Sequence, residues 1–419
     1  MNSSRVLASY FIETPYEPAH AAAVLAGEQS TGTFVRVPGE TDELRECFGA
    51  RVESVTELGG SPTPSLPYSK PPRGAAPNYR SAHVSISFPI GNMGPSLPNL
   101  LATVAGNLFE LKEFSGLRLL DLEFPEEFAR AYPGPQFGVD GTRRLSGVYE
   151  RPLIGTIVKP SIGLSPEQTA ALVRQLLEGG LDFIKDDELM ADPPHSPFER
   201  RVDAVMPVIH EHAGRTGRKA MFAFNLTGEI DQMCRHAEYV WKAGGTCVMV
   251  SVNSVGLPGV AHLRRHCALP IHAHRNGWGY LTRSQALGFG FRAWHKLWRL
   301  AGVDHIHTNG IRNKFWEPDD SVVDSARACA EPMLGGYQVM PVLSSGQWAE
   351  QAPDTYRRLG TVDLLYLCGG GIVAHPGGIA AGAASVRQGW EAALAGVPLD
   401  QYAATHPELR RALEFFGAK

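Results

Sequence analysis

From about residue 150 to the end of the chain one pattern recurs. A short apolar run that reads as a strand is followed by a helical stretch, about eight times over, which is the repeat number of a (β/α)8 barrel. The candidate strands are 154–160 (IGTIVKP), 183–188 (FIKDDE), 220–226 (AMFAFNL), 246–252 (TCVMVSV), 270–275 (PIHAHR), 304–309 (DHIHTN), 339–344 (VMPVLS) and 363–369 (DLLYLCG). SPEQTAALVRQLLEGG and SQALGFGFRAWHKLWRL are among the helical stretches between them. A doubly wound open sheet is the competing arrangement, and in either fold the functional residues belong at the C-terminal ends of the strands. Reactive residue types do collect there: Lys159, the Lys185 to Glu188 cluster, Asn225, His272, His274, Arg275, His305, His307, Ser344 to Gly346 and Gly369 to Gly371.

The preceding part of the chain is different. RVLASYFIET (5–14) and SAHVSISFPI (81–90) alternate apolar and polar residues as half-buried strands do. VRVP (35–38), VESVTEL and LRLLDLEFP supply further strands, and 17–30 and 95–107 read as helices. The mixture predicts a small ferredoxin-like α+β domain over 1–145, ahead of a TIM-barrel domain over 146–419. Residues 59–77 read as a Pro/Gly-rich loop and 133–144 as the linker. A net charge of −4 offers nothing to hold a nucleic-acid backbone. No apolar run approaches the roughly 20 residues of a membrane span, and nothing at the start reads as a signal peptide. Six scattered cysteines without a C-x-x-C pair read as reduced thiols, which points to the cytoplasm.

Three carboxylates and a lysine in FIKDDE can hold a hard cation through oxygen, or can be a solvated charge cluster opening a helix. CO₂ added to the lysine would supply a third anionic ligand. The glycine-rich ends SSGQW (344–348) and CGGGIVAHPGG (368–378) sit where TIM barrels commonly hold phosphate, although glycines also make plain tight turns. Arg275 reads as a phosphate clamp, since its fork matches phosphate oxygens. Zinc held by the HAHR and HIH histidines is disfavoured, because no cysteine is suitably placed beside them. Lys314, in TNGIRNKFWEPDD, lies on a loop long enough to be a lid.

Taken together these strings resemble the RuBisCO superfamily over nearly the whole chain. GTIVKPSIGLS (155–165) looks like the family's G-T-x-K-P-K-x-G-L-S, and GGLDFIKDDE (179–188) matches G-G-x-D-F-x-K-D-D-E. IHAHR, HIHTNG, LSSG and CGGG follow in the family's order, while GEQSTGTF (27–34) and AGNLF (105–109) resemble its N-terminal motifs. The resemblance implies Mg²⁺ held by Lys185 as its CO₂ carbamate, with Asp187 and Glu188. It implies Lys159 as the lysine that exchanges a proton with the substrate carbanion, and His274 beside metal and substrate oxygens. One phosphate pocket would use Arg275, His307 and Ser344, and the other Thr33, Lys314, Gly346, Gly370 and Gly371. Glu28 and Asn107 would enter from the second subunit of a homodimer with shared sites.

The departures shape the function expected. Ser161 stands where a carboxylase has a second lysine, Phe34 replaces a tryptophan, Ile157 a threonine and Ser345 a glycine. The chain therefore resembles the form IV, RuBisCO-like class of non-photosynthetic bacteria, notably in AGEQSTGTF and VPGETDEL. The expected substrate is a phosphorylated sugar acid. The favoured reaction is decarboxylation of 3-oxo-isoapionate 4-phosphate in apiose breakdown, with a transcarboxylase/hydrolase of the same compound as its rival. The class also includes the methionine-salvage enolase, whose base lysine is replaced here by Asn107, and the methylthioribulose-phosphate isomerase. A RuBisCO-fold binding or regulatory protein without catalysis is the reading from a different class.

Overall fold

A computed structural model describes residues 4–32, 37–74 and 78–418. Its strands, in chain order, are β1 (Arg5–Thr14), β2 (Arg51–Ser61), β3 (Tyr79–Pro89), β4 (Gly116–Glu123), β5 (Leu153–Ile157), β6 (Phe183–Lys185), β7 (Met221–Asn225), β8 (Cys247–Ser251), β9 (Ile271–His274), β10 (Leu287–Phe289), β11 (His305–His307), β12 (Met340–Leu343) and β13 (Leu365–Leu367). Two compact units result, one of residues 1–133 with 277–301, the other of 134–276 with 302–419.

The first unit is a sheet of order β10-β4-β1-β3-β2. The period-two pattern of β1 works as expected, because Val6, Ala8, Tyr10 and Ile12 are buried on one face. The helices Pro18–Glu28 and Leu97–Ala105 belong to this unit, and the Tyr10 hydroxyl donates to the Val104 carbonyl at 2.8 Å. β2 takes up Gly59 to Ser61 of the expected loop. The strand expected over 35–38 lies partly outside the described residues, and Val37 and Pro38 are not in a strand.

The sequence pattern predicts helix throughout 284–300. Instead 287–289 form β10, parallel to β4, and the helix begins only at Phe291. Gly288 explains the break. Its φ is +96°, and a Cβ there would sit 1.9 Å from the Leu281 carbonyl oxygen, so the chain must turn before it can coil.

In the second unit, β5 to β9 and β11 to β13 close into a parallel barrel. Seven fall inside the runs expected from the sequence, and β5 begins one residue before its run, at Leu153. The interior is packed by alternate strand residues, among them Leu153, Phe183, Met221, Met249, Met340, Val342 and Leu365. The linker expected over 133–144 is mostly a helix, Gly138–Ser146. It reads as linker because of its glycines, and packing demands those glycines. A Cβ on Gly138 would lie 2.7 Å from the Gln338 oxygen, and one on Gly141 2.7 Å from the Phe137 Cβ. The amides of Phe137 and Gly138 donate to Asp304 Oδ1 at 2.6 and 3.0 Å, and Thr142 Oγ1 bonds His305 Nε2 at 2.8 Å. The helix thus caps the N-terminal end of the barrel. No helix among the described residues is long and apolar enough to cross a membrane.

Candidate active site

Short strands force the chemistry to the C-terminal ends. β6 stops at Lys185, and the three acidic residues that follow have separate fates. Asp186 turns inward: its carboxylate accepts from the Arg201 Nε at 3.2 Å and the Asn225 amide at 3.0 Å. Asp187 Oδ2 accepts from Lys159 Nζ at 2.6 Å, and its Oδ1 from the Leu189 amide at 3.1 Å. Glu188 Oε2 lies 3.4 Å from Lys185 Nζ and 3.6 Å from His274 Nε2. The Asn225 side chain donates to the carbonyls of Asp187 and Glu188, both at 3.2 Å, and fixes their backbone.

Lys185 is wholly buried. Burial pushes its amine below the ordinary lysine value, against the pull of Glu188 and Asp187. Only a neutral amine is a nucleophile toward CO₂, so this burial favours the carbamate chemistry. Burial also pushes the Glu188 carboxyl up, but His274 and Lys185 outweigh it and hold the group at about 2. His274 falls to about 4, through burial and then Lys185. Near neutral pH the pair is therefore a carboxylate beside a neutral imidazole. On the β5 side, Lys159 Nζ donates to Ser161 Oγ at 2.8 Å as well as to Asp187.

A row of imidazoles crosses the barrel interior. His305 Nδ1 lies 3.3 Å from His272 Nδ1, His272 Nε2 lies 2.7 Å from His307 Nε2, and His307 Nδ1 meets Ser344 Oγ at 3.1 Å. Burial pushes all three histidines well down, His305 to about 3. Neutral rings satisfy one another there, and these nitrogens have little left for zinc.

The glycine-rich ends form a second group. Ser345 continues from β12 with φ +75° and donates to Asn309 Oδ1 at 2.9 Å, while Asn309 itself has φ +62°. Asn309 Nδ2 donates to Glu317 Oε2 at 2.6 Å, and Arg275 Nη2 donates to the same oxygen at 2.5 Å. Lys314 is exposed, and its amide donates to the Ser345 carbonyl at 3.1 Å. Gly371 lets the end of β13 approach the β12 loop, for a Cβ there would lie 2.6 Å from the Gln347 oxygen. Sequence reasoning misses Glu317 and Asn309. Their partner Arg275 is distant along the chain, and only the acidic residue after Lys314 hints at them.

Of the expected site residues, Lys159, Lys185, Asp187, Glu188 and His274 come together in one contact network. His307 joins Ser344, and Gly346 lies against Lys314, whose Cβ is 3.6 Å from where a Gly346 Cβ would be. Gly370 opens the short helix after β13. Glu28 and Asn107 are exposed in the first unit. Thr33 and Phe34 lie outside the described residues.

Comparison with known proteins follows the same lines. Residues 138–416 match the ribulose bisphosphate carboxylase large chain, catalytic domain, and residues 1–128 match its N-terminal domain. A 3-oxo-isoapionate-4-phosphate transcarboxylase/hydrolase of Xanthobacter autotrophicus is 53% identical over 416 residues, covering 99% of this chain and 100% of that one. A 3-oxo-isoapionate-4-phosphate decarboxylase of Rhizobium etli is 47% identical over 412 residues, 98% of each chain. The crystal structure of a rubisco-like protein from Burkholderia fungorum superposes with a TM-score of 0.92 at 47% identity, covering 98% of this chain and 99% of that one.

Proposed function

The chain belongs to the ribulose bisphosphate carboxylase large-chain family, and from that premise we propose that it decarboxylates 3-oxo-isoapionate 4-phosphate through an enolate. The observation that carries this reading is the buried Lys185 amine, pushed down by burial, with Glu188 3.4 Å away and Asp187 held beside it by Lys159. The donor set fits a hard divalent ion. Asp186 is already neutralised by Arg201, so a Lys185 carbamate, Asp187 and Glu188 would face the single Lys159 ammonium, leaving a charge that Mg²⁺ cancels. Bound there, Mg²⁺ would withdraw electrons from a substrate ketone oxygen and so ease loss of the neighbouring carboxylate.

The chain's own groups do the rest. As the bond to the carboxylate breaks, its electron pair moves toward the ketone oxygen and CO₂ departs. Lys159, aimed by its bonds to Asp187 and Ser161, delivers a proton to the carbon that lost the carboxylate, and regains one from solvent. Neutral His274 can donate to a substrate oxygen beside Glu188. Arg275, His307 and Ser344 on one side, and Lys314, Gly346, Gly370 and Gly371 on the other, are the groups that would hold the phosphate end. Ser161 in place of a second lysine supports decarboxylation over carboxylation. Glu28 and Asn107 are exposed, as residues completing a partner's site in a homodimer must be. The free cysteines support a reducing, cytoplasmic setting.

The test is CO₂ release from 3-oxo-isoapionate 4-phosphate with Mg²⁺ and bicarbonate. Lys185→Ala is expected to lower kcat/KM at least about a thousandfold, roughly 4 kcal/mol of barrier; full activity in that variant would sink the proposal. One observation favours a second reading, since the relative at 53% identity is named a transcarboxylase/hydrolase. Carbon balance separates the two: decarboxylation releases one CO₂ per substrate, whereas transfer leaves the carboxylate in a second organic product.

A further inference from the structure

Outside the barrel mouth, Cys234, His262 and His266 bring their ligand atoms within 4.8 Å of one another. Cys234 lies on the helix Ile230–Lys242, and both histidines lie on the helix Val252–His266 that packs against it. The spacing of four residues puts His262 and His266 on one helix face, with ring centroids 4.4 Å apart. We propose that this cluster is a binding site for a borderline-soft divalent metal, Zn²⁺ in chemical type, with three protein ligands and one position left to water.

Four features of the site support the assignment. The first is the donor set, a thiolate with two imidazoles, which suits zinc-type ions and not the oxygen-seeking Mg²⁺. The second is tautomer. His266 Nδ1 lies 2.9 Å from the His262 carbonyl oxygen, and a carbonyl can only accept, so Nδ1 carries the proton. Nε2 is then the lone-pair nitrogen, and the carbonyl bond holds the ring as second-sphere carbonyls do in metal sites. The third is field. The histidines occupy the C-terminal half of their helix, His266 in the final turn, where the backbone carbonyls favour a cation. The fourth is reach: ligands of a tetrahedral zinc lie about 3.3–3.6 Å apart at ordinary bond lengths, so small side-chain rotations close the cluster.

Exposure is graded as an accessible site requires, with Cys234 and His262 half-buried and His266 exposed. Burial and then the negative charge of Asp231 push the Cys234 thiol up, so an ion binding here displaces the thiol proton. An ion here would tie together two helices of the barrel's outer layer. It would do so without using any group assigned to the reaction, so the site is independent of the proposed decarboxylation.

The test uses Co²⁺ as the probe on the reduced full-length protein. Thiolate coordination gives a ligand-to-metal absorption band in the near ultraviolet, which an all-oxygen site cannot give, and added Zn²⁺ should abolish it. The band is expected in the parent and in Lys185→Ala, and is expected to vanish in Cys234→Ser. His262→Ala and His266→Ala should each weaken Co²⁺ binding at least tenfold, with circular dichroism unchanged. No band in the parent overturns the proposal. So does a band that survives in Cys234→Ser, or one that is lost in Lys185→Ala while the protein remains folded.

Discussion

The two ends of the barrel use the same residue types to opposite ends. At the N-terminal end, Asp304 is wholly buried and accepts from the amides of Phe137, Gly138 and Ile271 and from Arg264. Asp182 is treated likewise by Arg151, Arg218 and the Ile154 amide. At the C-terminal end, Glu188 touches its neighbours only at 3.4 and 3.6 Å, and Asp187 leans on a lysine that has other work. Saturated carboxylates are spent on holding the fold together. Incompletely bonded ones keep lone pairs for a ligand, and burial makes those lone pairs valuable.

The largest effect that could break this contrast is at the saturated end. Asp304→Ala should cost about 3–5 kcal/mol of unfolding free energy, because Arg264 is left buried without its partner. Urea denaturation measures it, and kcat/KM per folded molecule should stay within about twofold. A small cost would mean that saturation does not mark structural carboxylates.

Next comes acidity, through the imidazole row that joins the two ends. His305 titrates at about 3 in the fold because it is buried, against about 6.5 unfolded. Below pH 6.5 the unfolded chain binds a proton that the folded protein refuses, so stability falls as pH falls. From pH 6.5 to 4.5 the loss from this residue is about 2 kcal/mol. Denaturant midpoints across that range check it, and His305→Gln should flatten the slope by about one proton.

At the open end, Ser161→Ala removes the 2.8 Å bond that aims Lys159. kcat/KM should drop about tenfold, roughly 1.4 kcal/mol, with little change in thermal midpoint. An equal loss of stability and activity would place Ser161 with the structural group instead. The smallest effect is expected at Ser345→Gly. Relief of a left-handed non-glycine residue gains about 1 kcal/mol, and the lost bond to Asn309 takes back a similar amount. The unfolding free energy should therefore move by under about 0.5 kcal/mol.

The two ends also differ in how legible they are in the sequence. The barrel strands are readable because buried parallel strands are short unbroken apolar runs, and their polar ends announce the mouth. The capping helix at the other end is not, since Gly138 and Gly141 look like linker until the close approach of Gln338 and Phe137 is seen. β10 is hidden for a similar reason, because what makes LGF a strand is its distant partner β4. Within the site, KDDE can be read as a cluster, but not the division of labour that turns Asp186 to Arg201, Asp187 to Lys159 and Glu188 toward Lys185 and His274. From the sequence, zinc is weighed only at the barrel histidines. The Cys234 cluster is not visible there, because only helix packing brings Cys234 near His262 and His266.

Ser345 has a meaning beyond its small energy. It sits where backbone alone would prefer glycine, and its hydroxyl is the first link of a chain through Asn309 and Glu317 to Arg275. Drift to glycine at this position would be almost invisible to selection for folding, yet it would remove the bond that holds the Asn309 side chain beside Glu317, the partner of Arg275. Position 345 is thus a place where the hydrogen-bonded surroundings of Arg275 can change while thermal stability stays the same.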